Sequence, residues 1–107
     1  DRLIFMDTFF SVMTPLGCTI RTTRTYWQYV VKIKHPCMAG KEEVVKEILK
    51  NPQKICQSNV DKTVYLYYGK TERLYCAVAK HATAKEGFLV TVYPADKIKE
   101  GETIWTR

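Results

Sequence analysis

The stretch TVYLYYGKTERLYCAVAKHATAKEGFLVTVYP, residues 63–94, decides the fold. Apolar and polar residues alternate within TVYLYYG, RLYCAVAKH and GFLVTVYP, and the short polar turns KTE and ATAKEG separate them. A period of two between turn residues is a strand signature. With KICQS, residues 54–58, placed ahead of them across NVDK, these runs predict an antiparallel β-meander with hairpin-length connections. Alternation also assigns faces. Tyr75, Ala77, Ala79 and His81 share one face of their strand, and Cys76, Val78 and Lys80 share the other. In FLVTVY the same rule separates Phe88, Val90 and Val92 from Leu89, Thr91 and Tyr93. One face is directed at a core and the other carries polar functional groups.

Upstream the period becomes helical. In KEEVVKEILKNP, residues 41–52, the acids stand in the first turn and the lysines toward the end, with Val44, Val45, Ile48 and Leu49 on one stripe. Asn51 and Pro52 end that helix. Before it, Thr23 or Thr25 caps a helix in which Tyr26, Trp27, Val30, Val31 and Lys34 share a face, and which stops at His35 and Pro36. Residues 2–13, RLIFMDTFFSVM, are dense in strand formers, and TPLG turns the chain into CTIRTT, which predicts a hairpin. The tail ADKIKEGETIW is expected to make one helical turn and then an extended segment returning Ile104 and Trp105 to the body. An N-terminal hairpin, two helices and an antiparallel meander make an α+β domain, here a single one over residues 1–107. Its expected core is Trp27, Val31, Val45, Ile48, Leu49, Val78, Val90 and Val92.

The 107 residues are 46% hydrophobic and 12% aromatic, which excludes a disordered chain. The net charge of +6 divides as +3 over residues 1–50 and +3 over residues 51–107, so it forms a basic surface and not a tail. Cys18, Cys37, Cys56 and Cys76 form no CxxC pair, and no metal-ligand cluster or cofactor motif is visible, so neither a metal nor a small-molecule cofactor is expected. No apolar run approaches the roughly 20 residues that span a bilayer. The beginning of the chain lacks a signal-peptide layout, and a cytoplasmic location is expected.

Two histidines are the strongest candidates for proton transfer. His35 sits on a backbone constrained by Pro36, which suits a working imidazole and equally an ordinary helix stop. His81 ends a strand beside Lys80, where a solvated hairpin shoulder is the alternative. Thr91 and Tyr93 lie on the neighbouring strand, with Lys80, Arg73 and Lys97 as nearby cations. Cleavage of RNA by its own 2′-hydroxyl needs a proton acceptor, a proton donor and cationic stabilisation of a pentacoordinate phosphorus, which these residue types supply without a metal. Tyr65, Tyr67, Tyr68 and Tyr75 can stack on bases or simply pack the sheet.

The succession of HP at 35–36, a helix ending in NP, the YLYYG and VAKH strands, and GFLVTVYPADKIKEGETIW resembles a family of small bacterial and phage-associated proteins. That family is grouped with the Barnase, EndoU, colicin and RelE-like nucleases, and the resemblance covers most of residues 15–105. It implies a RelE/Barnase-like fold, an RNA substrate, a toxin-like endoribonuclease activity and a protein antitoxin or inhibitor as partner. It places the active site at His35, Lys80, His81, Thr91 and Tyr93. No carboxylate base stands on the central strands, so the Barnase-type pairing of Glu and His is not reproduced. Two other readings fit the same residues: a noncatalytic RNA-binding module, and a protein-interaction domain using a sheet edge.

Overall fold

The computed structural model describes residues 8–98 and 101–107. Strands β1 (Thr8–Met13) and β2 (Thr19–Thr23) pair antiparallel. Residues 2–7 of the expected first strand lie outside the described residues. Thr23 then caps α1 (Arg24–Tyr29), its Oγ1 accepting from the Tyr26 N–H at 3.0 Å. The helix widens into a π turn over Val30–Lys34, and the His35 N–H donates to the Val30 carbonyl at 2.8 Å. Pro36 excludes the preceding residue from helical geometry, and His35 leaves the helix at φ −144°, ψ 81°. A 3₁₀ turn, Pro36–Met38, leads to Gly40 at φ +78° and then to α2 (Glu42–Lys50). Val45, Ile48 and Leu49 form the buried stripe of α2, Glu42 and Glu43 stand at its positive end and Lys50 at its negative end.

Five strands follow: β3 (Lys54–Gln57), β4 (Val64–Lys70), β5 (Leu74–His81), β6 (Glu86–Pro94) and β7 (Glu102–Thr106). They join β1 and β2 in one seven-stranded sheet of order β1-β2-β6-β5-β4-β3-β7. The fold is mixed α+β and dominated by this sheet. It differs from a hairpin followed by a separate meander, because β2 pairs parallel with β6 through Thr19–Arg21 and Glu86–Phe88. At the other edge β7 pairs with β3, with Trp105 opposite Ile55. Trp105 returns to the body as expected, half-buried against the core, whereas Ile104 stays exposed. The expected helical turn of the tail falls partly on Lys99 and Glu100, outside the described residues.

The two helices cover one face of the sheet. Trp27, Val30, Met38, Val45, Ile48 and Leu49 meet Ile20, Ile55, Tyr67, Ala77, Ala79, Leu89 and Val92 there. A smaller cluster of Cys56, Leu66, Tyr68 and Cys76 lies on the second face, with Ala95 and Ile98 packed against it. Val78 and Val90, expected in the core, are only half-buried, as is Val31. Val78 belongs to the second face, and Val90 sits at a bulge. Gly87 marks a close approach of strands on the helical face: a Cβ there would meet the Lys80 carbonyl oxygen at 2.5 Å and Ile20 Cδ1 at 2.9 Å. A backbone carbonyl in the ladder has little room to retreat. Gly87→Ala is therefore expected to destabilise by about 1–3 kcal/mol in urea unfolding, as overpacking does. An unchanged midpoint would contradict this close approach.

Candidate functional site

The bulge determines which side chains share a face. Up to Val78 the β5–β6 register runs Tyr75 to Pro94, Cys76 to Tyr93, Ala77 to Val92 and Val78 to Thr91, but Ala79 then faces Leu89, so Val90 is the extra residue. Leu89 and Val92 consequently both point to the helices. Thr91 and Tyr93 join Phe88 on the second face, with Val78 and Lys80. The expected grouping of Leu89 with Thr91 and Tyr93 is thus corrected. An unbroken period of two cannot hold across an inserted residue.

The bulged half of β6 is not paired with β2, whose register ends at Phe88. Helix α1 and the π turn cover this edge: Tyr26 Oη donates to the Val90 carbonyl at 2.6 Å, and Lys34 Nζ lies 3.4 Å from both that oxygen and Tyr26 Oη. His35 follows directly, its half-exposed ring 5.4 Å from the Tyr93 ring, tilted by 39°. Thr91 Oγ1 is buried without a hydrogen-bond partner. Lys80 Nζ lies 3.7 Å from Asp61 Oδ2, with both side chains about half-exposed. Hydrogen bonds from the Thr63 hydroxyl and N–H hold the Asp61 carboxyl below its ordinary pKa, with a smaller contribution from Lys80. An imidazole, a phenol, a buried hydroxyl and the Lys34 ammonium thus lie along the bulged half of β6, and Lys80 shares the face of Thr91 and Tyr93 but stands four residues along β5 from Cys76, the partner of Tyr93.

His81 is not part of this group. It shares the helical face with Tyr67 and stacks on Tyr65 with ring centroids 3.8 Å apart. Its Nε2 is 2.8 Å from Tyr67 Oη, which donates to Thr14 Oγ1 at 3.3 Å, and Thr14 donates to the Cys18 carbonyl at 2.9 Å. Each hydroxyl has one proton, so the chain is complete only when His81 carries its proton on Nε2 and donates it to Tyr67. Burial lowers the His81 pKa and raises that of Tyr67 well above the usual phenol range. A histidine bound neutral in the folded state takes up its proton more readily when unfolded, so folding stability falls as pH drops through the ordinary value of 6.5. Urea midpoints should therefore decrease between pH 7.5 and 5.5, and His81→Gln should flatten that decrease. An equal slope in both proteins would contradict the assignment.

The residues expected to bind RNA divide. Tyr67 and Tyr68 are 0% and 2% exposed, so neither ring face is open to a base. One lies beneath the helices and the other beneath Ala95 and Ile98, because the sheet is covered on both sides there. Arg73 and Lys97 are exposed at the far end of β5 from Lys80, and Arg73 lines a groove with Lys70, Glu72 and Asp96. Among the described residues, no three His, Cys, Asp or Glu side chains cluster as metal ligands would. No described helix is long and apolar enough to cross a membrane. Lys34 and Tyr26 are not legible in the sequence as site neighbours, since it is the packing of α1 and the π turn on β6 that brings them to the Val90 carbonyl. No known family model, curated protein or solved structure matches the chain.

Proposed function

We propose that this chain is a metal-independent endoribonuclease of the toxin-like, RelE/Barnase-like kind, working at the edge where His35 meets Tyr93. The observation that carries the reading is the Val90 bulge, which puts Thr91 and Tyr93 on the face of Lys80 and beside His35. The His35 imidazole accepts the proton of the 2′-hydroxyl as its oxygen bonds to phosphorus. Lys34 stabilises the charge on the pentacoordinate phosphorus, and Lys80, on the same face, attracts the RNA backbone toward the edge. The phosphorus–O5′ bond then breaks, the leaving oxygen takes its proton from Tyr93, and a 2′,3′-cyclic phosphate remains. RNA is the partner in this reading, with a protein inhibitor covering the same edge, and a cytoplasmic setting suits four free thiols.

One observation favours a noncatalytic RNA-binding module instead: the second imidazole, His81, is engaged on the opposite face, so a single histidine serves the site. Incubation with total RNA in EDTA, with sequencing of new ends, separates the two. The nuclease reading predicts discrete new ends for the wild type and for His81→Ala, and their loss in Tyr93→Phe. Binding that weakens with salt but produces no new ends would leave the binding module.

A further inference from the structure

We propose that a second copy of this chain docks along α2 and the β1 edge, the two copies related by a two-fold axis at the level of Lys46 and Glu47. Lys46, Glu47 and Lys50 stand three, four and seven residues after Glu43, so the four side chains form one stripe of the helix. The signs of that stripe complement the same stripe read backwards. When two such helices lie antiparallel about the axis, Glu43 faces Lys50 of the copy and Lys46 faces Glu47, and both pairs repeat on the other side of the axis. No like charges are opposed. A parallel arrangement would set glutamate against glutamate and lysine against lysine, so the charges also select the orientation.

The stripe lines a groove with Ser11, Val12 and Met13 of β1, where Met13 is 61% exposed. Strand β1 is the outer strand of the sheet on that side. Its residues, TFFSVM, include no charge and no proline, the usual guards against edge pairing, and its bulge at Phe9 lies away from the groove residues. The opposite edge, β7, is guarded by Glu102 and by the inserted Ile104. Contacts within the chain leave the stripe free to pair. Lys46 Nζ is 3.0 Å from Glu43 Oε2 and 5.6 Å from the centre of the Phe10 ring, and Asn51 donates to Glu47 at 3.0 Å. The Glu43 side chain is 86% exposed, such surface pairs are weak, and a carboxylate accepts from a helix neighbour and from the copy at once. A partner of one sign would be repelled by half of the stripe, whereas a copy of the chain satisfies all of it. A nine-residue helix is about 14 Å long and makes too small an interface alone, so β1 belongs to the contact. The dimer is a weak one, with a dissociation constant on the order of 1–100 μM at low salt.

The test is sedimentation equilibrium of the whole chain at low salt, from about 5 to about 500 μM, a range that brackets the expected constant. Glu43→Lys with Glu47→Lys makes the stripe wholly basic, and Lys46→Glu with Lys50→Glu makes it wholly acidic. Each double variant alone should dissociate at least about tenfold more readily than the wild type, because like charges now face one another. An equimolar mixture of the two should recover a one-to-one dimer at least as tight as the wild type. Thermal melts establish that the variants are folded, and should a reversed helix melt early, Glu43→Gln with Glu47→Gln takes its place and should weaken the wild-type dimer in the same direction. A wild type that stays monomeric through the range would overturn the proposal. So would a charge-reversed variant that dimerises as tightly as the wild type, or a mixture of folded variants that stays monomeric. No RNA enters the experiment, so its outcome is independent of the nuclease reading.

Discussion

His35→Ala is expected to lower RNA cleavage by roughly two to four orders of magnitude while leaving the fold intact, the usual range for losing a general acid or base. Stability should survive for a structural reason. Among the described residues the His35 imidazole makes no hydrogen bond, and its ring contact is with Tyr93. The turn itself is held by backbone: the His35 N–H on the Val30 carbonyl and the Met38 N–H on the His35 carbonyl, at 2.8 and 2.9 Å. Alanine keeps both. The proline that follows fixes the backbone for alanine as it does for histidine. Rate and urea midpoint measured on one sample decide the matter. A lower midpoint with undiminished activity per folded molecule would make His35 a helix stop and nothing more.

Trp27→Ala is expected to destabilise by about 3–5 kcal/mol, the range for emptying a buried aromatic site. Trp27 is 2% exposed and meets the Phe10 ring edge-on at a centroid distance of 6.3 Å. Its Nε1–H donates to Glu42 Oε2 at 3.0 Å, so one side chain ties α1 to the start of α2 while filling the space above β1. Truncation removes the packing and leaves the carboxylate without that donor. Trp27→Phe should recover most of the packing but not the hydrogen bond, giving an intermediate loss. A change under about 1 kcal/mol for the alanine variant in urea unfolding would show that the helices are not anchored there.

Much of the fold follows from periodicity alone. The stripe Val45, Ile48, Leu49, the Thr23 cap and the break before Pro36 are local signals, and the structure has each in place. Alternation in β5 is also correct, with Ala77 and Ala79 under the helices and Lys80 exposed. The bulge leaves no such trace. Every residue of FLVTVY favours a strand, so nothing local marks Val90 as the inserted one, and the orientation of Thr91 depends on it. The parallel pairing of β2 with β6 joins residues 67 positions apart and is equally invisible in the sequence. That pairing sets Arg21 beside Phe88. Reading Tyr67 and Tyr68 as candidate stacking groups assumed a sheet open on one side, whereas Ala95 and Ile98 close the second face over Tyr68.

The account stands or falls on 2′-hydroxyl chemistry at the His35 edge. The most direct measurement is the mass of the fragments released in EDTA from an oligodeoxynucleotide that contains one ribose. The account predicts a single cut, on the 3′ side of that ribose, leaving a 2′,3′-cyclic phosphate on one fragment and a 5′-hydroxyl on the other. Fragments ending in a 3′-hydroxyl, cuts at deoxy positions, or an intact strand after prolonged incubation with folded protein would contradict it.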